Sequence, residues 1–130
     1  MRSKLLWPLL AALLFFGCEK RIYRHKYAEP SRPITCLKLQ SDNLLTKSLL
    51  QDRYRFTDDC PFRLKTTSHF VSTCTSAKAK ALGSDFDGFL RFELYERDRL
   101  LYRGQIDFKG CLSEGVVSRL FDLLRKENDL

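Results

Sequence analysis

Alternation of apolar and polar positions is the clearest signal in this chain. From Phe89 to Tyr95, Leu90, Phe92 and Leu94 fall on one side. From Leu100 to Phe108, Leu100, Tyr102, Ile106 and Phe108 fall together, with Arg103, Gln105 and Asp107 opposite. Two period-2 runs around a short polar turn at Glu96–Arg99 predict a β-hairpin. Phe62 to Val71 alternates too: Phe62, Leu64, Thr66, Ser68 and Phe70 point one way, and Arg63, Lys65, Thr67 and His69 the other. This is the pattern of a half-buried strand. The run ITCLKL, from Ile34 to Leu39, predicts a further short strand, and Asp58-Asp59-Cys60-Pro61 breaks the chain before the next one.

Helical spacing occupies the gaps. Ser41 or Asp42 is placed to cap a helix from Asn43 to about Arg53, with Leu45 and Leu49 on one face and Leu44 and Leu50 beside them. Residues 75–82, TSAKAKAL, predict a short helix stopped by Gly83. Val117, Leu120, Phe121 and Leu124 form an apolar stripe on a helix from Glu114 to about Lys126, where Ser113 caps and Glu114 suits the positive end. The order β-α-β-α-β-β-α predicts an α+β domain, a four-stranded mixed sheet with helices packed on one face. The first strand-helix-strand unit should pair in parallel with a right-handed crossover.

Ahead of this domain the pattern changes. Arg2 and Lys4 precede Leu5–Gly17, LLWPLLAALLFFG, a run without charge. Thirteen helical residues rise about 20 Å, short of the ~30 Å hydrocarbon core of a bilayer. A positive start, a short apolar run and a small residue at its end describe a cleaved signal peptide over residues 1–17. Residues 18–33 carry Lys20, Arg21, Arg24, Lys26 and Arg32 with Pro30 and Pro33 and no helical or strand period, so they read as a basic tether. Residues 34–130 form the single folded domain.

The end of the apolar run, Phe15-Phe16-Gly17-Cys18, resembles the bacterial lipobox, with Leu14 upstream, Gly17 before the cut and Cys18 as the lipidated residue. Phe15 and Phe16 stand where that pattern prefers an aliphatic and then a small residue. The resemblance implies a lipoprotein held in a bilayer by acyl chains, each buried methylene contributing about 0.8 kcal/mol. Glu19, rather than an aspartate, follows the cysteine, which favours the periplasmic face of the outer membrane and leaves the inner membrane open.

Cysteine parity agrees with lipidation. Of five cysteines, assigning Cys18 to the lipid leaves Cys36, Cys60, Cys74 and Cys111 for two disulfides in an oxidising compartment. A ten-residue strand would hold Cys60 and Cys74 roughly 30 Å apart, so Cys36–Cys60 and Cys74–Cys111 are the expected pairs. No CxxC pair occurs, and compact ligand pairs are the usual mark of zinc; no metal or cofactor is expected.

Charge narrows the function. The formal charge is +7; losing Arg2 and Lys4 with the leader lowers it to +5, and the tether holds five of the remaining cations. The domain is then near neutral, with Arg91, Arg97, Arg99 and Arg103 concentrated on the hairpin as a candidate interaction surface. Export argues against nucleic acid as a partner and for an anionic lipid or an acidic protein surface. No P-loop, GxSxG or HExxH motif is present. Asp85-Phe86-Asp87-Gly88 reads as a turn rather than a calcium loop, and His69 as a solvated residue on a polar strand face.

The element order is similar to small envelope-assembly lipoproteins, of the lipopolysaccharide-transport type and of the curli-secretion and penicillin-binding-protein-activator type. Ala77, Ala79, Ala81, Leu82 and Gly83, followed by Asp85–Leu94, look like the Ala-rich helix and strand of the latter group. The resemblance implies a non-enzymatic accessory or assembly factor, anchored to the membrane through Cys18 and bound to an envelope protein. The alternative is a carrier or binding protein for a small apolar ligand or glycolipid, which requires a pocket between sheet and helices.

Overall fold

The computed structural model of the chain describes residues 22–70 and 88–130. Their order is β1 (Ile22–Lys26), β2 (Lys38–Ser41), α1 (Leu44–Arg53), β3 (Phe62–Phe70), β4 (Gly88–Glu96), β5 (Arg99–Phe108) and α2 (Glu114–Glu127). The strands form one mixed sheet in the order β1-β5-β4-β3-β2. The α+β class is as expected, with five strands where four were expected and two helices among the described residues where three were expected. The segment read as a short helix, 75–82, lies outside the described residues.

The extra strand comes from the segment read as tether. Ile22–Lys26 pairs antiparallel with β5, Ile22 opposite Ile106 and Lys26 opposite Tyr102. Its residues are exposed except for the half-buried Ile22, so it carries no apolar alternation to betray it. A charged edge strand of this kind also blocks further strand addition.

The expected parallel pair is present, with Lys38 opposite Arg63 and Ser41 opposite Thr66. Here β2 starts later than the run ITCLKL suggested. Ser41 and Asp42 do not cap α1; they lace the two strands together. Thr66 Oγ1 donates to Ser41 Oγ at 2.6 Å, and the Ser68 N–H donates to both Asp42 carboxylate oxygens at 3.1 and 3.0 Å. The cap is Asn43, whose Oδ1 accepts from the Thr46 N–H at 3.0 Å. That cap sets the helix rotation: Thr46 and Leu50 are buried, and Leu44 and Leu45 are 85% and 49% exposed, so the stripe differs from the expected Leu45/Leu49 face.

Between β4 and β5 the ladder slips at Leu94/Tyr95, where Leu94 faces Tyr102 and Tyr95 faces Leu100. The extra residue, Leu101, is fully buried. This bulge shifts Leu100 out of the core row assigned to it and leaves it half-buried. The two-residue turn contains Arg97 at φ 55°, a left-handed conformation in which glycine or asparagine is more comfortable.

Helix α2 is capped as expected, Ser113 Oγ accepting from the Val116 N–H. Its stripe of Val116, Val117, Leu120, Phe121 and Leu124 is buried against Leu90, Phe92 and Ile106 of the sheet. Phe121 is the hub: its ring lies 6.4 Å from Phe92, 6.0 Å from Tyr54 and 6.3 Å from Phe56. Gly104 admits the helix closely, since a Cβ there would stand 3.3 Å from Leu120 Cδ1. Both described helices therefore cover one face of the sheet.

A Cys36–Cys60 disulfide ties the entries of β2 and β3 across a separation of 24 residues. Closing a loop of this length restricts the unfolded chain by about 3.5 kcal/mol. Replacing both cysteines with alanine should lower the unfolding free energy by about 3 kcal/mol in urea denaturation. A loss under about 1 kcal/mol would show that this bond does not set the stability of the parallel pair.

Candidate functional site

Period 2 gives the sheet a second face, and the register determines what meets there. Tyr23, Gln105, Arg91 and Thr67 align across β1, β5, β4 and β3; the next row is His25, Arg103, Glu93 and Lys65. Gln40 extends that row on β2, while Lys38 joins Arg63 and Tyr95 beyond it. At the other end stand His69, Phe89 and Asp107. On strands β2 to β5 five cations share this face with two carboxylates.

Aromatic rings stand between the cations. The Arg63 guanidinium lies 4.8 Å from the Tyr95 ring centre, Arg91 5.0 Å from Phe89 and Arg103 5.8 Å from Tyr27. His69 stacks on Phe89 at 5.5 Å. Stacking of this kind holds guanidinium groups flat without spending their charge.

The carboxylates are already engaged. Glu93 accepts from Arg103 Nη2 at 2.8 Å and Nε at 3.2 Å, its side chain only 8% exposed against 42% for the arginine. The Tyr95 hydroxyl also donates to Glu93 at 3.3 Å; burial first, and then this carboxylate, pushes the Tyr95 pKa up. Asp107 accepts from Gln105 Nε2 at 2.9 Å, and Gln105 Oε1 in turn accepts from Arg91 at 2.9 and 3.0 Å. Among the described residues Lys38, Arg63 and Lys65 form no ion pair, and Arg63 Nε is buried without a hydrogen-bond partner. The face is thus cationic after internal pairing is complete.

The four hairpin arginines do not form one patch. Arg91 and Arg103 belong to the open face, Arg97 sits exposed in the turn, and Arg99 is committed elsewhere. Arg99 Nη2 donates to Glu96 Oε1 at 3.1 Å and to the Glu29 carbonyl at 2.9 Å. Ser31 donates to Glu96 through its N–H at 2.8 Å and through its hydroxyl. This clamp ties residues 29–31 to the hairpin turn. The missed contributors, Tyr23, His25 and Tyr27, come from the segment read as tether; the only sequence signal for them is the alternation of aromatic rings with basic residues in IYRHKY.

Cys18 and Cys74 lie outside the described residues. Cys111 is disulfide-bonded. Among the described residues no group of three or more His, Cys, Asp or Glu side chains is placed to hold a metal ion, and no helix is long and apolar enough to cross a membrane. A surface depression of about 170 Å³ is lined by Tyr23, Arg24, His25, Tyr27, Arg103 and Gln105. Another, of about 270 Å³, lies between Ile22 and the α2 residues Arg119, Asp122, Leu123 and Lys126. No family model matches the chain, and no curated protein or solved structure matches it.

The pairings can be tested by removing one partner at a time. Arg103→Ala strands the buried Glu93 carboxylate and should cost about 2 kcal/mol or more, whereas Arg91→Ala, which leaves no charge unpaired, should cost less than about 1 kcal/mol; urea denaturation of the two variants checks the order. The Ser31 hydroxyl, then its N–H, and Arg99 hold the Glu96 pKa down to about 2 from 4.5. A depressed carboxyl stabilises the fold above its unfolded pKa and loses that contribution as pH falls toward the folded one. Thermal stability should therefore drop between pH 4.5 and about 2, and Glu96→Gln should flatten that part of the profile.

Proposed function

We propose that this chain is a lipoprotein of the bacterial cell envelope, anchored through acyl chains on Cys18 to the periplasmic face of the outer membrane. Its role is that of a non-enzymatic accessory or assembly factor for another cell-envelope component, with the open face of its sheet as its contact surface in the envelope. The observation that carries this reading is that face itself. It combines cations without carboxylate partners and interleaved aromatic rings, with both described helices on the opposite side. A solvated surface has no need of rings stacked under its arginines, whereas contact surfaces are enriched in Tyr, Phe and Arg.

The carrier alternative is less well supported. It needs space between sheet and helices, and between the sheet and the described helices the interface is filled by Phe92, Leu120, Phe121 and Leu124, all fully buried. The two depressions, about 170 and 270 Å³, open at the surface and fall below the ~300 Å³ at which small-molecule sites begin.

Cys18→Ser should abolish incorporation of labelled palmitate and should keep the chain from maturing to its lipidated form. Retention of palmitate in that variant would refute attachment at Cys18. In envelopes cross-linked before solubilisation, the lipidated chain should recover a specific protein adduct; recovery of no stable partner would refute the assembly-factor reading.

A further inference from the structure

The open face is placed by covalent geometry as well as by charge. Strand β1 begins at Ile22, so only Glu19, Lys20 and Arg21 separate it from Cys18. Four Cα steps span at most about 14 Å. On the lipid-anchor reading, on which this inference rests, the edge of the sheet cannot leave the bilayer surface by more than that.

Strands stand about 4.8 Å apart, so β4 lies about 10 Å and β3 about 15 Å from β1 across the face. The end of β1 nearest the anchor pairs with the end of β5, where Tyr23, Phe89 and Arg91 cluster. Tyr23 is 49% exposed there, and Tyr27 at the other end of the strand 48%; tyrosine settles at headgroup depth because its ring is apolar and its hydroxyl polar. On the helix-covered side α2 carries no net charge, Arg119, Arg125 and Lys126 balancing Glu114, Asp122 and Glu127.

We propose that the occupant of the open face is the anionic headgroup layer of the membrane that holds the anchor. Tyr23 and Phe89 enter the interface, and Arg91, Lys65 and Arg63 meet lipid phosphates. The domain lies sheet-down on the bilayer, and the Arg97–Asp98 turn, at the far end of the hairpin, stays clear for a protein partner.

The test uses the full-length chain matured in a bacterial host and reconstituted in vesicles of phosphatidylcholine alone or with added phosphatidylglycerol. The mass of the N-terminal peptide first establishes whether Cys18 carries acyl chains; their absence refutes the anchor reading, independently of any labelling result. A membrane-impermeant amine reagent then reports the reactivity of Lys65 against that of Lys126 on α2. One basic residue near an anionic surface is held about fivefold more strongly than in solution, so Lys65 should be protected by about fivefold or more on the anionic vesicles only. Protection should vanish in 1 M salt, where the screening length falls to about 3 Å, and in Arg63→Glu/Arg91→Glu. The salt arm needs no variant, so a misfolded mutant does not decide the outcome. Equal Lys65 reactivity on both vesicle types overturns the proposal. So does protection that appears only when an acidic envelope protein or a single-stranded oligonucleotide is added.

Discussion

The packing of Phe121 against the sheet is the contact on which the rest of the structure depends. One ring touches Phe92 from β4 and Tyr54 and Phe56 from the segment after α1, and so joins both helical regions to the central strands. Truncating it would open a cavity costing about 3–5 kcal/mol, comparable to the whole stability of many small domains. With the apolar side of every central strand spent on that contact, the sheet has no second hydrophobic layer to offer. Its other face is therefore polar, which leaves it free to carry charge.

The parts of this fold legible in the sequence are those where burial is one-sided over many residues. Leu90, Phe92 and Leu94 announced β4, Phe62 and Leu64 announced β3, and Leu120, Phe121 and Leu124 announced α2, because a period of 2 or 3.6 is imposed directly by the core. Strand β1 left no such mark. Beyond the packing of Ile22 against the core, it is held by backbone pairing with β5 and by Arg24, which reaches Glu127 at 3.1 Å, and neither requires an apolar pattern. Leu101 was illegible for a different reason: a bulge reverses the phase of alternation, and nothing in Tyr95 or Leu100 signals it. The roles of Ser41 and Asp42 were misassigned because a residue suited to cap a helix is equally suited to accept from a neighbouring strand.

The candidate site was legible as composition and illegible as geometry. Four arginines on a hairpin look like one patch when counted along the chain. Strand pairing separates them, giving Arg91 and Arg103 to the open face and Arg99 to the clamp around Glu96, and it brings in Arg63 and Lys65 from a distant strand. Cross-strand neighbours are set by register, and here register depends on the bulge at Leu94/Tyr95, which the sequence did not reveal, as well as on the turn it did.

This redistribution also changes the meaning of the basic segment after Cys18. On the proposed lipid anchor, a tether of 15 or so residues would let the domain roam several nanometres from the bilayer. With Ile22–Lys26 paired to β5, only three residues separate Cys18 from the sheet edge. The pairing of Arg103 with Glu93 then becomes more than a stabilising contact. An uncompensated carboxylate at the centre of the face would repel an anionic partner; paired with Arg103 and hydrogen-bonded by the Tyr95 hydroxyl, Glu93 leaves Lys38, Arg63, Lys65 and Arg91 to set the sign of the potential against Asp107. Fold stability and surface charge are thus settled by the same few side chains, which is why exchanging Arg103 for a neutral residue would disturb both at once.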